Sequence, residues 1–247
     1  MTRFLHVYRD PALDGPTNMA RDECLLHEAD VRPAALRLYA WSPPTISLGY
    51  FQRYDDLRRL PPELQALPVV RRLTGGGAIL HDREITYSLV LDHTVPIAAR
   101  APVELYRLVH DCWRAVLAAD GLTADMAPDH FPLPTPRGGP FFCFERPGRT
   151  DLIFGGRKLL GSAQRRLPGA VLQHGSLLLG RRFAGHPGAE LGDPDAARVS
   201  AWCAAFATHA AAALELSERS AAWSAAQLAD AAARRARYAG DAWTRRR

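Results

Sequence analysis

The sequence predicts an α+β fold in a single domain, with mixed sheets flanked by helices. Residues 151–179 form three extended runs separated by a Gly155-Gly156 turn and a Leu167-Pro168-Gly169 turn, the pattern of an antiparallel meander. Residues 103–119 instead carry apolar side chains at helical spacing. Two alanine-rich segments, residues 194–216 and 218–238, are predicted to close the chain as helices.

The elements before the meander follow from local composition. A first helix is predicted over residues 16–29, with Thr17 or Asn18 as its cap and with Asp22 and Glu23 in its early turns, where the helix dipole favours carboxylates. Prolines and glycines mark the breaks between the remaining extended runs. The predicted strands are residues 3–8, 36–41, 45–50, 69–73, 78–81 and 85–91.

Residues 128–148 have a different character from both neighbours. They are rich in proline, glycine and aromatic residues and show no period, so we predict a long loop. Loops of this length within a compact domain tend to be functional.

Composition and charge exclude several classes of protein. The four cysteines are widely spaced without a CxxC pair, which argues against a zinc site or a disulfide framework. The first residues lack a hydrophobic signal core, and the longest apolar stretch, residues 204–216, is too short to span a bilayer. We therefore expect a cytoplasmic enzyme with reduced thiols. The net charge of +5 favours an acidic macromolecular partner over duplex nucleic acid, and the terminal arginines 245–247 are expected to be solvated.

The chain contains a single lysine, Lys158, among 31 basic residues. Lysine differs from arginine in being a compact charge whose pKa can be shifted, so its retention here indicates chemistry rather than surface charge. Strict strand alternation predicts two faces around it. One face would carry Lys158, Leu160, Ser162 and Gln164, and the other Arg157, Leu159, Gly161 and Ala163.

Three consecutive glycines, Gly75, Gly76 and Gly77, join two predicted strands. Without Cβ atoms, this backbone can approach a ligand closely. Arg71 and Arg72 precede the glycines and His81 follows them. The motif predicts a narrow slot in which Arg71 or Arg72 reaches a polar or phosphate end.

Cys143 differs from the other cysteines in lying on the predicted loop. Cys24, Cys112 and Cys203 lie on predicted helices and fit the usual role of a buried small hydrophobe. A nearby ammonium from Lys158 would favour the reactive thiolate of Cys143. On the next strand, Gly175 marks a close backbone approach, whereas a lone histidine such as His174 is more often structural.

These motifs resemble those of the biotin/lipoate protein ligase superfamily. RRLTGGGAILHD resembles its RRxSGGGxVxHD signature, Asp151 with GRKLLGSAQRR resembles its lysine segment, and LQHGSLLL resembles the following strand. Residues 19–23 match its early helix. The resemblance implies an α+β catalytic domain related to class II aminoacyl-tRNA synthetases. We place this domain at residues 1–216, followed by a helical extension over residues 217–247 without a separate accessory domain.

Within the superfamily, the segment from Cys143 to residue 179 is most similar to the cysteine-dependent octanoyltransferases of the Gram-positive type. This similarity implies transfer of octanoate from octanoyl-acyl carrier protein, through a thioester on Cys143, to a lysine of a lipoyl domain such as the glycine cleavage H protein or an E2 subunit. Lys158 would position the acyl carbonyl, and its neutral form would shuttle protons. We expect no cofactor, metal, nucleic acid or membrane. The residues expected to bind substrate are Arg71, Arg72, Gly75, Gly76, Gly77, His81, Gly161, Ser162, Ala163 and His174.

Three alternatives remain open at this point. An ATP-dependent lipoate–protein ligase would use ATP and Mg to form lipoyl-AMP, with Arg71, Arg72 and the glycines on the adenylate phosphate. An amidotransferase would move octanoyl groups between lipoyl domains, also through a cysteine. A non-catalytic acyl- or biotin-binding regulator is disfavoured, because Cys143 and Lys158 are both retained and no DNA-binding element is visible.

Overall fold

Two sheets organise the chain in the computed structural model, which describes residues 3–131 and 140–247. The larger sheet is mixed, and its strands run, in spatial order, β11 (Ser217–Ser220), β1 (Phe4–Leu13), β2 (Ala34–Trp41), β6 (Glu84–Asp92), β10 (Ala170–Leu178), β9 (Arg157–Leu167), β8 (Leu152–Phe154) and β7 (Asp125–Met126). The smaller sheet has the order β4 (Val69–Arg71), β3 (Thr45–Leu48) and β5 (Ile79–His81). The α+β prediction is confirmed.

Helices pack on both sheets. They are α1 (Gly15–His27), α2 (Pro62–Gln65), α3 (Pro102–Ala119), α4 (Ala196–Ala213), α5 (Ala225–Ala239) and α6 (Asp241–Thr244). Leu89 and Leu91 pack with α3 and α4, where Trp113 stacks on Phe206 at 4.1 Å between ring centroids. Val90, between these two leucines, packs with α1 on the opposite face. The period of two along β6 therefore separates two cores.

The predicted meander is confirmed, because β8, β9 and β10 pair antiparallel through the two glycine turns. It departs from ideal pairing at one point. Leu152 pairs with Leu160 while the next residue, Ile153, pairs with Lys158, so Leu159 is an extra residue on β9. Such a β-bulge changes which side chains share a face.

Two helix starts differ from the sequence prediction. The cap of α1 is Asp14, whose side chain accepts from the amide of Thr17 at 2.8 Å. The helix therefore begins earlier than the predicted Thr17 or Asn18 cap, with Pro16 in its first turn, where its missing N–H costs nothing.

The predicted helix over residues 218–238 is wrong in its first part. Residues 217–220 instead form β11, which pairs parallel with the edge of β1 and so satisfies backbone groups that would otherwise be unpaired. The helix α5 begins only at Ala225, behind a capping box of Ser224 and Gln227. The domain boundary at residue 216 stays a prediction.

The predicted loop over residues 128–148 includes residues 132–139, which lie outside the described residues. Its later part contains a short 3₁₀ turn at Cys143–Glu145, anchored to the glycine loop by an Ala78–Phe142 bridge. Across residues 3–131 and 140–247, none of the helices has the length and apolar character needed to cross a bilayer.

Candidate active site

A cavity of about 530 Å³ lies where the glycine loop, the Cys143 turn, β9 and β10 meet. It brings together most of the residues selected from the sequence. Those that line it are Arg72, Gly75, Gly76, His81, Cys143, Lys158, Gly161, Ser162, Ala163 and His174. Arg71 and Gly77 are not among its lining residues. What each lining residue does to a substrate stays a prediction.

Cys143, Lys158 and Asp151 form a linear polar array in this cavity. The Lys158 ammonium donates to Cys143 Sγ at 3.2 Å and to Asp151 Oδ2 at 2.8 Å. Lys158 is 3% exposed, whereas Cys143 is only partly buried. A partly buried sulfur thus lies in contact with a buried cation.

Lys158 is held in its charged form. Burial alone disfavours the ammonium, but the charges of Asp151 and Cys143 outweigh burial and raise the pKa of Lys158. The expectation that a neutral Lys158 shuttles protons therefore does not fit the resting site. The geometry favours a fixed positive charge beside the sulfur.

The β-bulge explains how Lys158 reaches this position. Strict alternation predicted Lys158 and Gly161 on opposite faces, but a Cβ built on Gly161 would lie 2.2 Å from Lys158 Cε. The extra residue Leu159 moves the two positions onto one face. The lysine side chain consequently lies across the space that the missing side chain of Gly161 leaves free.

Gly161→Ala is expected to displace the lysine and to lower the acyl transfer expected from the sequence by about 100-fold, because an alanine methyl and the Lys158 stem cannot occupy the same space. The fold should persist, since the group that must move is the end of a flexible side chain. Transfer rates and thermal melting would be measured together. Gly185→Ala is the matched control, because its Cβ would meet only Leu64 at an ordinary 3.6 Å. Unchanged transfer in Gly161→Ala would contradict this account.

Arg72 holds the conformation of the glycine loop by hydrogen bonds to its backbone. Its guanidinium donates to the carbonyls of Ser47, Gly75 and Gly77 at 2.6, 3.1 and 2.9 Å. Gly77 packs against the Cys143 backbone, where an added Cβ would lie 3.0 Å from Cys143 N. Gly77 therefore permits the close approach of the Cys143 turn rather than lining the cavity.

Arg71 corrects a second expectation. It is fully buried, and its guanidinium donates to the carbonyls of Gly49 at 2.9 Å, Gln52 at 2.7 Å and Thr244 at 2.8 Å. These bonds use the N–H donors of the guanidinium, so Arg71 connects the turn at residues 49–52 to the end of α6. It does not reach a ligand phosphate.

The two histidines that were expected to bind substrate are both held in place by hydrogen bonds. His81 stacks on Trp41 at 3.8 Å between ring centroids and bonds to Glu84 Oε1 at 2.5 Å. His174 lies between Asp22 Oδ2 at 3.1 Å and Thr74 Oγ1 at 2.7 Å. The second pair connects α1 to the glycine loop through the floor of the cavity.

His110 on α3 was missed by the sequence analysis. Its Nδ1 lies 2.6 Å from the Thr150 carbonyl, which can only accept, so Nδ1 carries the proton. Its Nε2 therefore accepts from Ser162 Oγ at 2.6 Å. Thr150, at φ +71°, is held by this bond in a backbone conformation that non-glycine residues rarely adopt. Asp151 follows directly, so His110 supports the turn that presents the carboxylate to Lys158.

Burial lowers the pKa of His110 from 6.5 to about 4. The unfolded chain therefore binds more protons between these two values, and stability is expected to fall as the pH drops from about 6.5 to about 4, by about 3 kcal/mol from this group. Burial also lowers the pKa of His186 to about 4, which adds to the same slope. The free energy of unfolding, measured in urea at several pH values, should fall less steeply with decreasing pH in His110→Gln than in the wild type. The exposed His209→Gln is the control, and an equal slope in both variants would contradict the assignment.

Asp151 and Asp22 were also absent from the predicted site residues. Asp151 carried a signal, because it stands immediately before the meander that contains Lys158. Asp22 stands within residues 19–23, which match the early helix of the superfamily, but that match did not reveal its contact with His174. His110 carried no signal, because it lies on a helix distant in sequence from the residues it contacts, and a single sequence does not reveal such pairs.

Comparison with known proteins identifies the family of this chain. The family model described as the lipoyl protein ligase A/B catalytic domain matches residues 14–184. The chain belongs to this family. The superfamily expected from the glycine and lysine motifs is therefore confirmed.

Similar curated proteins include the octanoyltransferases LipM of Moorella thermoacetica and Kyrpidia tusciae. The first is 43% identical over 178 residues, covering 67% of this chain and 62% of that protein. The second is 39% identical over 189 residues, covering 72% and 65%. The chain thus spans less than two thirds of the length of these relatives.

Solved structures of the family share the fold. A lipoate-protein ligase A bound with ATP has a TM-score of 0.76 at 19% identity, covering 99% of both chains. The bi-partite lipoate protein ligase from Thermoplasma acidophilum has a TM-score of 0.72 at 17% identity, covering 99% of this chain and 97% of that one. At these identities the likeness concerns the fold alone.

Proposed function

We propose that this chain transfers an octanoyl group from octanoyl-acyl carrier protein to a lysine of a lipoyl domain, through a thioester on Cys143. The observation that carries the proposal is the 3.2 Å contact between Cys143 Sγ and the buried ammonium of Lys158. The octanoyltransferase names of the relatives at 43% and 39% identity support the same acyl group.

In the first half-reaction, the Cys143 thiolate attacks the carbonyl carbon of the donor thioester. The bond from that carbon to the carrier sulfur breaks, and the carrier leaves as a thiolate that takes up a proton from solvent, where Cys143 released its own. Lys158 remains an ammonium throughout and compensates the charge on sulfur and on the carbonyl oxygen. The amides of Gly75 and Gly76, which line the cavity, donate no hydrogen bond to another described residue and are candidates to bind the same oxygen.

In the second half-reaction, the amine of the acceptor lysine attacks the acyl-enzyme. The new C–N bond forms, the C–S bond to Cys143 breaks, and the proton of the amine returns to the sulfur. Conversion of a thioester to an amide is downhill, so the proposed transfer needs neither ATP nor a metal. Both steps use one cavity, which is the behaviour of a ping-pong enzyme.

The ATP-dependent ligase is less well supported by the site. It would need arginines free to contact an adenylate phosphate, whereas Arg71 and Arg72 both donate to backbone carbonyls. An amidotransferase between lipoyl domains would use the same Cys143 chemistry and differs only in its donor. We place the proposed reaction in the cytoplasm.

The test is an ATP-free acylation assay on the purified chain. After mixing with octanoyl-acyl carrier protein, intact mass should show one octanoyl adduct that hydroxylamine removes, and peptide mapping should locate it on Cys143. Addition of a lipoyl domain should discharge the adduct to an acceptor lysine. Modification of the lipoyl domain by free octanoate only in the presence of ATP would instead establish the ligase, and an adduct formed only from octanoylated lipoyl domain would establish the amidotransferase.

A further inference from the structure

An aromatic turn lies at the glycine-loop edge of the cavity. The amide of Tyr50 donates to the Thr74 carbonyl at 2.8 Å, and Gln52 Nε2 donates to the Phe141 carbonyl at 3.0 Å. A Cβ on Gly75 would lie 3.9 Å from the Phe51 ring. Tyr50 and Phe51 are therefore attached both to the glycine loop and to the segment that carries Cys143.

Three arginines gather on these rings. The guanidinium carbon of Arg246 lies 3.8 Å from the Tyr50 ring centroid, that of Arg165 lies 5.7 Å from the same ring, and that of Arg247 lies 5.5 Å from Phe51. Arg245 and Arg247 are exposed, as expected of solvated side chains, whereas Arg246 is partly buried against Tyr50. We call Tyr50, Phe51, Arg165, Arg246 and Arg247 the rim surface.

The arginines of the rim surface have no ion-pair partner in the part of the chain that the structure describes. Among residues 3–131 and 140–247, Arg165, Arg246 and Arg247 form no ion pair, and three carboxylates of neighbouring segments are bound to other arginines. These neighbouring pairs are Asp55–Arg58, Asp56–Arg59 and Asp241–Arg245. Burial together with the charges of Arg246 and Arg247 lowers the pKa of Arg71 to about 10. The contribution of the two terminal arginines to this shift reflects the same excess of positive charge.

The rim surface also presents an exposed apolar group. Phe51 is 55% exposed, and of the three exposed large apolar side chains in the described residues, the others being Val31 and Leu228, it alone adjoins the cavity. An exposed aromatic ring surrounded by arginines is typical of the centre of a protein-binding surface. The surface is held in place because Arg71 ties the turn at residues 49–52 to Thr244, next to the terminal arginines.

We propose that the rim surface docks the body of an acidic carrier protein while its thioester reaches Cys143. This inference rests on the proposed function. A protein-borne thioester can meet a partly buried sulfur only if the protein covers the mouth of the cavity. Three guanidinium groups without an ion-pair partner, packed on the rings beside the glycine loop, then favour a carrier with a negative surface and increase its rate of encounter.

The experiment compares two acyl donors on the same variants. Octanoyl-acyl carrier protein presents a protein surface, whereas octanoyl-N-acetylcysteamine is a small uncharged thioester. In the double variant Arg246→Glu/Arg247→Glu, acylation of Cys143 by the carrier is expected to slow by about tenfold or more and to lose its salt dependence. Acylation by the small thioester should stay within about twofold, since the rim surface is outside the reacting array.

Matched control variants come from residues outside the rim surface. Arg219→Glu removes an arginine that also stacks on an aromatic ring, Phe4 at 3.4 Å, but lies on β11 at the far edge of the larger sheet. Leu228→Ala is the control for Phe51→Ala, because both side chains are exposed. Only the rim variants should slow the carrier reaction.

The outcomes separate docking from chemistry. Carrier acylation that is equal in wild type and in the double variant would overturn the docking inference while leaving the proposed function intact. Equal slowing with both donors would also overturn it, as would slowing only of transfer to the lipoyl acceptor. A wild-type chain that is acylated by neither donor would refute the proposed function and this inference with it.

Discussion

Cys143→Ser is expected to abolish the octanoyl adduct and to lower transfer to a lipoyl domain by about 1000-fold or more. The hydroxyl of serine is a far weaker nucleophile than a thiolate, and the ammonium of Lys158 cannot ionise it. The substitution is nearly isosteric, so the cavity and the 3₁₀ turn should be unchanged. Loss of activity would then report on the sulfur alone.

Intact mass after incubation with octanoyl-acyl carrier protein would measure the adduct, and a gel-shift or mass assay of the lipoyl domain would measure transfer. Cys203→Ser is the matched control, because Cys203 is also partly buried but lies on α4, away from the cavity. Transfer in Cys143→Ser at more than about one tenth of the wild-type rate would remove the thioester from the mechanism.

Replacement of Lys158 is expected to produce the second large effect. Lys158→Met keeps the length of the stem but removes the charge beside Cys143 Sγ, so alkylation of Cys143 by iodoacetamide at neutral pH should slow by about tenfold. Acyl transfer should fall by about 100-fold or more, because the developing oxyanion also loses the ammonium.

Stability must be separated from catalysis in this variant. Removing Lys158 leaves the Asp151 carboxylate without its 2.8 Å partner, and breaking one side of a buried pair costs about 3–5 kcal/mol. In the double variant Lys158→Met/Asp151→Asn, urea unfolding should return towards the wild-type midpoint while transfer stays low. Recovery of transfer together with stability would show that the lysine acts only through the fold.

Lys158→Arg asks whether charge alone is sufficient. The planar guanidinium is wider than an ammonium, and the end of Lys158 occupies the space beside Gly161, where even a methyl would lie 2.2 Å from Cε. We expect a loss of about 100-fold despite the retained charge, measured by the same transfer assay. Near-normal turnover would show that the site needs only a cation, and not this side chain.

In the meander, local sequence patterns predicted the strands correctly but not the face on which each side chain lies. Glycine turns between extended runs placed β8, β9 and β10 correctly, because the conformation of a two-residue turn depends on its own residues. The same reasoning assigned Lys158 to the wrong face relative to Gly161. A β-bulge depends on how two strands pair, and the sequence of β9 alone does not predict it.

Towards the end of the chain, contacts between segments distant in sequence decided the structure. Residues 217–220 were predicted as helix, yet they form β11 because the edge of β1 was available to pair. Arg71 was expected to bind substrate, whereas in the structure it is buried and donates to backbone carbonyls. Its contacts with Thr244 join positions 173 residues apart, which composition and spacing do not encode.

Residue chemistry that depends only on side-chain type was readable from the chain: a lone lysine, a cysteine on an irregular segment and a glycine run that admits close approach. Contacts made across the fold were not, and these include the carboxylate of Asp151 on the ammonium, the ring of His110 beneath Thr150 and the arginines stacked at the mouth. Turn and strand preferences act between neighbours in the chain, whereas the charge state and aim of a buried group depend on whatever the packed strands and helices bring within a few ångströms of it.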